Sequence, residues 1–153
     1  MMFKTHLVIG VLLGLVLVSL LNPVYPVLFF GVLVLASLLP DIDTPKSKVG
    51  KKVGIVSNIL NVTLGHRGLM HSIYLPAVVA IFGVLFGFPL IGYAFAIGYM
   101  IHLIADMFTK DGIHLFYPVL NIRGFITTGS IWESFIFFIC CGLVILKVLS
   151  YLK

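Results

Sequence analysis

Residues 6–39 read HLVIGVLLGLVLVSLLNPVYPVLFFGVLVLASLL, two apolar runs separated by Asn22-Pro23 and closed by Pro40. Proline fixes φ and lacks a backbone donor, so the runs His6–Leu21 and Tyr25–Leu39 end as two separate helical segments. Three more runs follow: Ser72–Phe88 with Pro76 near its start, Leu90–Phe108 after Pro89, and Ile131–Leu152. A transmembrane helix needs about 20 predominantly apolar residues. The pattern therefore predicts an all-α, polytopic membrane bundle of about five spans, forming a single domain over residues 1–153. Several runs, the second above all, are near the lower limit of length, which leaves tilt, local thinning or a re-entrant path open.

Composition says the same. The 153-residue chain is 61% hydrophobic and 10% charged, with a mean hydropathy of +1.21. A soluble domain is roughly 45–50% apolar and about 25% charged, so this chain lacks the polar residues to cover a water-facing surface. Disorder, collagen-like repeats and nucleic-acid-binding arms are excluded on the same grounds, and no direct nucleic-acid partner is expected. Lys4 before the first run gives it the look of a signal peptide, but no small-x-small cleavage pattern follows Leu21, so it reads as an uncleaved first span. Cys140 and Cys141 are helix neighbours that point in different directions and read as small apolar residues rather than a disulfide.

Between spans, residues 40–71 form the longest polar stretch, and its Gly54–Leu64 segment fits a short interfacial helix. With five alternating spans, Lys4, the 40–71 loop (Lys46, Lys48, Lys51, Lys52, Arg67) and the 109–130 loop (Lys110, Arg123) share one side. The positive-inside rule makes that side cytoplasmic and puts the C-terminus on the opposite face of the membrane.

The five histidines and five carboxylates fall mainly into three clusters: Pro40-Asp41-Ile42-Asp43, then His66-Arg67 with His71, then His102 with Asp106, followed by Asp111 and His114. His6 and Glu133 open the first and last spans. Ionisable groups at membrane depth are costly and mark functional sites. All these groups lie at span ends that alternation brings to the basic face. His102 and Asp106, four apart, stack on one helix face. Imidazoles and carboxylates together suit zinc, manganese or iron. His6, Asp41, His66, His71, His102, Asp106 and His114 are the candidate metal ligands, more than one tetrahedral ion needs, which points to two ions activating water and clamping an ester oxygen.

Plainer roles compete at several of these positions. His6 reads equally as an interfacial residue, Asp43 as a turn cap, Asp111 as a solvated loop residue, and Glu133 beside Trp132 as an interface anchor. His114 is open between ligand and loop. In a catalytic reading, Asp43 or Glu133 is the candidate general base and Arg67 pairs with a phosphate oxygen. The four lysines bind anionic headgroups or draw in an anionic substrate. The residues thus predict a membrane-bound metal-dependent hydrolase cleaving a phosphoester or other ester bond of a lipid or amphiphile at the cytoplasmic face. The alternative is a non-catalytic membrane regulator whose metal is structural and whose basic loop binds a soluble protein.

Lys4-Thr5-His6, Leu39-Pro40-Asp41-Ile42-Asp43, Gly65-His66-Arg67-Gly68 with His71-Ser72, and His102-Leu103 with Asp106, Thr109, Gly112 and Tyr117-Pro118 together resemble the YdjM family of LexA-binding, inner-membrane-associated metal-dependent hydrolases. The resemblance covers nearly the whole chain and implies a membrane-bound hydrolase and, as partner, a LexA-like soluble regulator. The chain is more distantly similar to zinc-dependent phospholipase C and the fungal single-strand nucleases, which implies ligands in the order Asp41, His66 or His71, His102 with Asp106, then His114. It departs from them in carrying Met1 where they have a ligating Trp, and in lacking a later His-x-x-x-Glu.

Overall fold

The computed structural model describes residues 1–43, 54–55 and 68–152, without the side chain of Asp43. Most of the Gly54–Leu64 segment expected as an interfacial helix, together with Lys46, Lys48, Lys51, Lys52, His66 and Arg67, lies outside the described residues.

The described chain is mainly helical. Helix α1 (Phe3–Leu21) stops at Asn22, which takes a left-handed conformation (φ 43°) and returns its N–H to the Val18 carbonyl. Helices α2 (Pro26–Ala36) and α4 (Pro89–Met107) each begin on a proline, where the missing N–H has no helical partner to lose. Between α2 and α4 come a 3₁₀ turn at Leu39–Asp43, a second at Leu69–His71, and α3 (Tyr74–Leu85). Helix α5 (Ile131–Ser150) ends the described chain.

Helices α1, α4 and α5, of 19, 19 and 20 residues, are long and apolar enough to cross a membrane. At 1.5 Å per residue they reach about 30 Å, the thickness of a hydrocarbon core. Helices α2 and α3 have 11 and 12 residues and are shorter than that.

The all-α expectation needs a correction. The 109–130 loop contains an antiparallel hairpin of β1 (Ile113–Phe116) and β2 (Leu120–Ile122), turning through a cis Tyr117–Pro118 bond. Its backbone groups pair locally: Ile113 faces Ile122 and His114 faces Asn121. The Leu115 carbonyl accepts from Ile73 N–H at 3.0 Å, tying the hairpin to the start of α3. Gly112 (φ 65°) permits the tight entry to β1, where any Cβ would strike the Ile122 carbonyl.

Within a membrane, apolar side chains gain little by leaving lipid for protein, and small residues that let backbones approach carry the packing. A Cβ on Gly83 of α3 would lie 2.7 Å from Gly92 Cα of α4. On α4, Gly98 sits against the Leu33 backbone of α2; on α1, Gly14 sits against the Phe30 ring of α2. Phe29, Leu33, Ala94 and Ile101 form the core around these contacts. The contacts His6 to Asp106, His102 to Ser37 and Met2 to Glu133 gather the start of α1, the end of α2, the end of α4 and the start of α5 at one end of the bundle.

Candidate metal centre

Four separate segments meet at that end. His6 comes from the first turns of α1, Asp41 from the 3₁₀ turn after α2, His71 from the 3₁₀ turn before α3, and His102 and Asp106 from successive turns of α4. Pro40 lies in the first of these turns and Gly68 precedes the second, so the chain breaks helix where it presents a ligand-type side chain. His6, His71, His102 and Asp106 are each at most 1% exposed, while Asp41 is half-buried at the rim.

The His6 and His102 rings stack with centroids 3.8 Å apart and planes 12° apart, and His71 meets His102 edge-on at 5.4 Å. Asp106 faces them with both oxygens. Its Oδ1 lies 3.1 Å from His6 Nε2 and also pairs with the Met1 amine, whereas Oδ2 lies 3.9 Å from His71 Nε2 and 3.8 Å from His102 Nε2. His102 Nδ1 lies 2.8 Å from the Ser37 carbonyl. A carbonyl only accepts, so Nδ1 carries the proton and a neutral His102 turns a bare Nε2 lone pair into the cluster. Burial pushes the Asp41 carboxyl above its ordinary range, against the opposing pull of His6 and His71.

Nδ1 of His6 and Nε2 of His102 are buried without a hydrogen-bond partner among the described residues. Each such atom costs about 1–3 kcal/mol when left unsatisfied, and a divalent cation would satisfy a bare lone pair. Two overlapping triads have ligand atoms within 4.8 Å of one another, His6–His102–Asp106 and Asp41–His71–His102. This donor set and spacing could hold a metal ion.

Other candidates stand apart from these triads. His114 is on β1, with Nε2 3.2 Å from the Asn121 side-chain amide. Asp111 is exposed and accepts from Thr128 Oγ1 at 3.0 Å. Glu133 is fully buried, but its Oε1 accepts from Met2 N–H at 2.5 Å and its Oε2 from Gly129 N–H at 2.6 Å. The signal for that role is in the sequence: Ser130-Ile131-Trp132-Glu133 opens α5 as a Ser-x-x-Glu cap, with Glu133 N–H on Ser130 Oγ. In this cap the Glu carboxylate reaches past the N-cap residue to the start of α1. Sequence reasoning had no signal for the Ser37 carbonyl, a backbone atom from another helix.

Fold and site together define a helical membrane-type protein with a buried His/Asp cluster able to hold a cation. The chain belongs to the YdjM inner membrane protein family, whose sequence profile matches residues 1–152. It is 35% identical over 96 residues to inner membrane protein YdjM of Escherichia coli K12, and equally to that of Shigella flexneri, alignments covering 56% of this chain and 46% of each relative. The chain thus spans about half the length of these curated relatives. It is 31% identical over 115 residues to the uncharacterized protein YvsG of Bacillus subtilis 168, covering 72% of both chains. No solved structure matches it.

Proposed function

We propose that the chain is an inner-membrane, metal-dependent hydrolase acting on a phosphoester or other ester bond of a lipid or amphiphile at the cytoplasmic face. The observation that carries this reading is the convergence of three histidines and two aspartates from four segments, with buried ring nitrogens that lack hydrogen-bond partners among the described residues. Such groups are expensive in a bilayer unless they bind something.

In this reading Asp41, His71, His102 and Asp106 would hold one ion, zinc by preference over manganese or iron, and His6 with Asp106 would begin a second position. Bound there, a divalent ion would supply Lewis-acid activation of water and of the ester oxygen. The Ser37 carbonyl holds the His102 ring in its ligating tautomer. Asp43 remains the candidate base, His66 a further ligand, and Arg67 with Lys46, Lys48, Lys51 and Lys52 the attraction for an anionic headgroup. Glu133 serves as a strut joining α5 to the start of α1. All five helices cross the membrane, with α2 and α3 met by local thinning, and the basic loops face the cytoplasm.

Elemental analysis of purified protein tests the site. The expected result is one or two transition-metal ions per chain, lost in the His102→Ala, Asp106→Ala double variant; metal-free wild-type protein would sink the reading. Screening metal-loaded protein against phospholipids and lipid phosphates tests the chemistry. The near-complete burial of His6, His71, His102 and Asp106 favours a second reading, a structural ion in a regulator that binds a LexA-like soluble protein. That reading predicts bound metal with no turnover of any ester.

A further inference from the structure

Helix α5 packs along α1 and barely touches α4, so a seam is left between α4 and α5. The seam holds a cavity of about 310 Å³. Its inner wall is Met1, Ala105 and Ile126, and its outer wall includes Leu13 of α1, Ile104 of α4 and Ile136 of α5. Among the described residues lining it there is no charged side chain. Leu13 and Ile104 are exposed at its mouth.

We infer that this cavity receives a single acyl chain of the amphiphile whose ester reaches the His/Asp cluster. The inference rests on the hydrolase reading and narrows it to substrates with a hydrocarbon tail. Three observations select this occupant. Apart from Met1, Ile126 and Phe108 just after α4, the walls come from α1, α4 and α5, the three helices long and apolar enough to cross a membrane, so with these helices in a bilayer Leu13 and Ile104 at the mouth would face hydrocarbon. The lining offers no polar partner for water or a headgroup, and a dry cavity of this kind accepts apolar matter. The inner wall adjoins the cluster: Ala105 precedes Asp106, and the Met1 amine pairs with Asp106. At the low end of the roughly 300–1,000 Å³ typical of ligand sites, the cavity fits one chain and not a two-chain lipid body. A tail lodged there would bring the bond next to its headgroup to the buried end of the bundle.

The test is photolabelling of purified, metal-loaded protein in detergent micelles by a lysophospholipid with a diazirine on its acyl chain, with labelled peptides mapped by mass spectrometry. Labelling is expected on Ile104, Ile126 and Ile136, to fall about tenfold in Ile136→Trp and in Leu13→Trp, and to stay unchanged in Phe135→Trp, which alters the exposed face of α5. Unchanged metal content in the Trp variants shows that they fold, and Ile136→Ala, which widens the cavity, should instead shift labelling to longer chains. Label spread evenly over the outer faces of α5, unaffected by Ile136→Trp, would mean ordinary surrounding lipid and overturn the inference. Hydrolysis of esters without cavity labelling overturns it while leaving the hydrolase reading intact. Cavity labelling without hydrolysis of any ester overturns the hydrolase reading and leaves a tail-binding site.

Discussion

Helices α4 and α5 look alike as strings: each is long and apolar enough to cross a membrane, α4 somewhat less apolar than α5. In the fold they differ completely, since nine of the 19 residues of α4 are buried and one of the 20 of α5 is. The less apolar helix is the central one. Ala94, Gly98, His102 and Asp106 recur every four residues on α4, all buried, so one stripe carries close backbone contact at one end and ligand-type side chains at the other. On α5 the buried residue is Glu133, at its start, and a Cβ added at Gly142 would meet nothing within 4 Å. Hydropathy identifies a helix that tolerates lipid; small and polar residues at helical spacing identify the one that other helices surround.

That contrast can be broken by mutation. The largest effect is expected from the His102→Ala, Asp106→Ala pair, which should abolish metal binding and, with it, the gain in thermal unfolding temperature on metal loading; retention of both would detach the stripe from the site. Next comes Gly98→Val. Its side chain must displace the Leu33 backbone, at a cost of about 3 kcal/mol in a reversible unfolding titration in mixed micelles. The matching change on α5, Gly142→Val, should stay within about 0.5 kcal/mol; equal losses at the two sites would erase the distinction between a central and a peripheral helix.

Glu133→Ala leaves the Met2 and Gly129 amides without their acceptor and should cost about 2 kcal/mol while metal content is kept. Loss of metal in that variant would instead bring Glu133 into the ligand set. A smaller loss than that of Glu133→Ala is expected from Ser130→Ala. It removes the N-cap of α5 for about 1 kcal/mol, measurable in the same titration, and no change there would show the Glu133 contacts suffice.

Much of the site's local grammar was legible in residue order. Pro40-Asp41 marked a ligand-type carboxylate at a helix break, and the four-residue step from His102 to Asp106 placed both on one face, because helix geometry is a property of neighbours in sequence. His114 illustrates where that reading ends. It follows Asp106 closely in sequence, yet a hairpin that the apolar pattern did not announce pairs it with Asn121. Glu133 shows the converse: a Ser-x-x-Glu signature was present, but it competed with a more conspicuous explanation, a carboxylate next to an interfacial tryptophan.

By itself the sequence determined that this is a membrane protein, to within a few residues where its helices begin and end, and that its few ionisable groups collect at helix ends. These follow from composition and from proline and glycine chemistry, which act within a few residues. Only the tertiary structure decided that His6, ninety-six positions from His102, stacks on it, that the Ser37 carbonyl sets its tautomer, and that Glu133 binds backbone amides. Such contacts depend on how closely helices approach, and that distance is set by Gly14, Gly83, Gly92 and Gly98 acting across helices rather than along the chain.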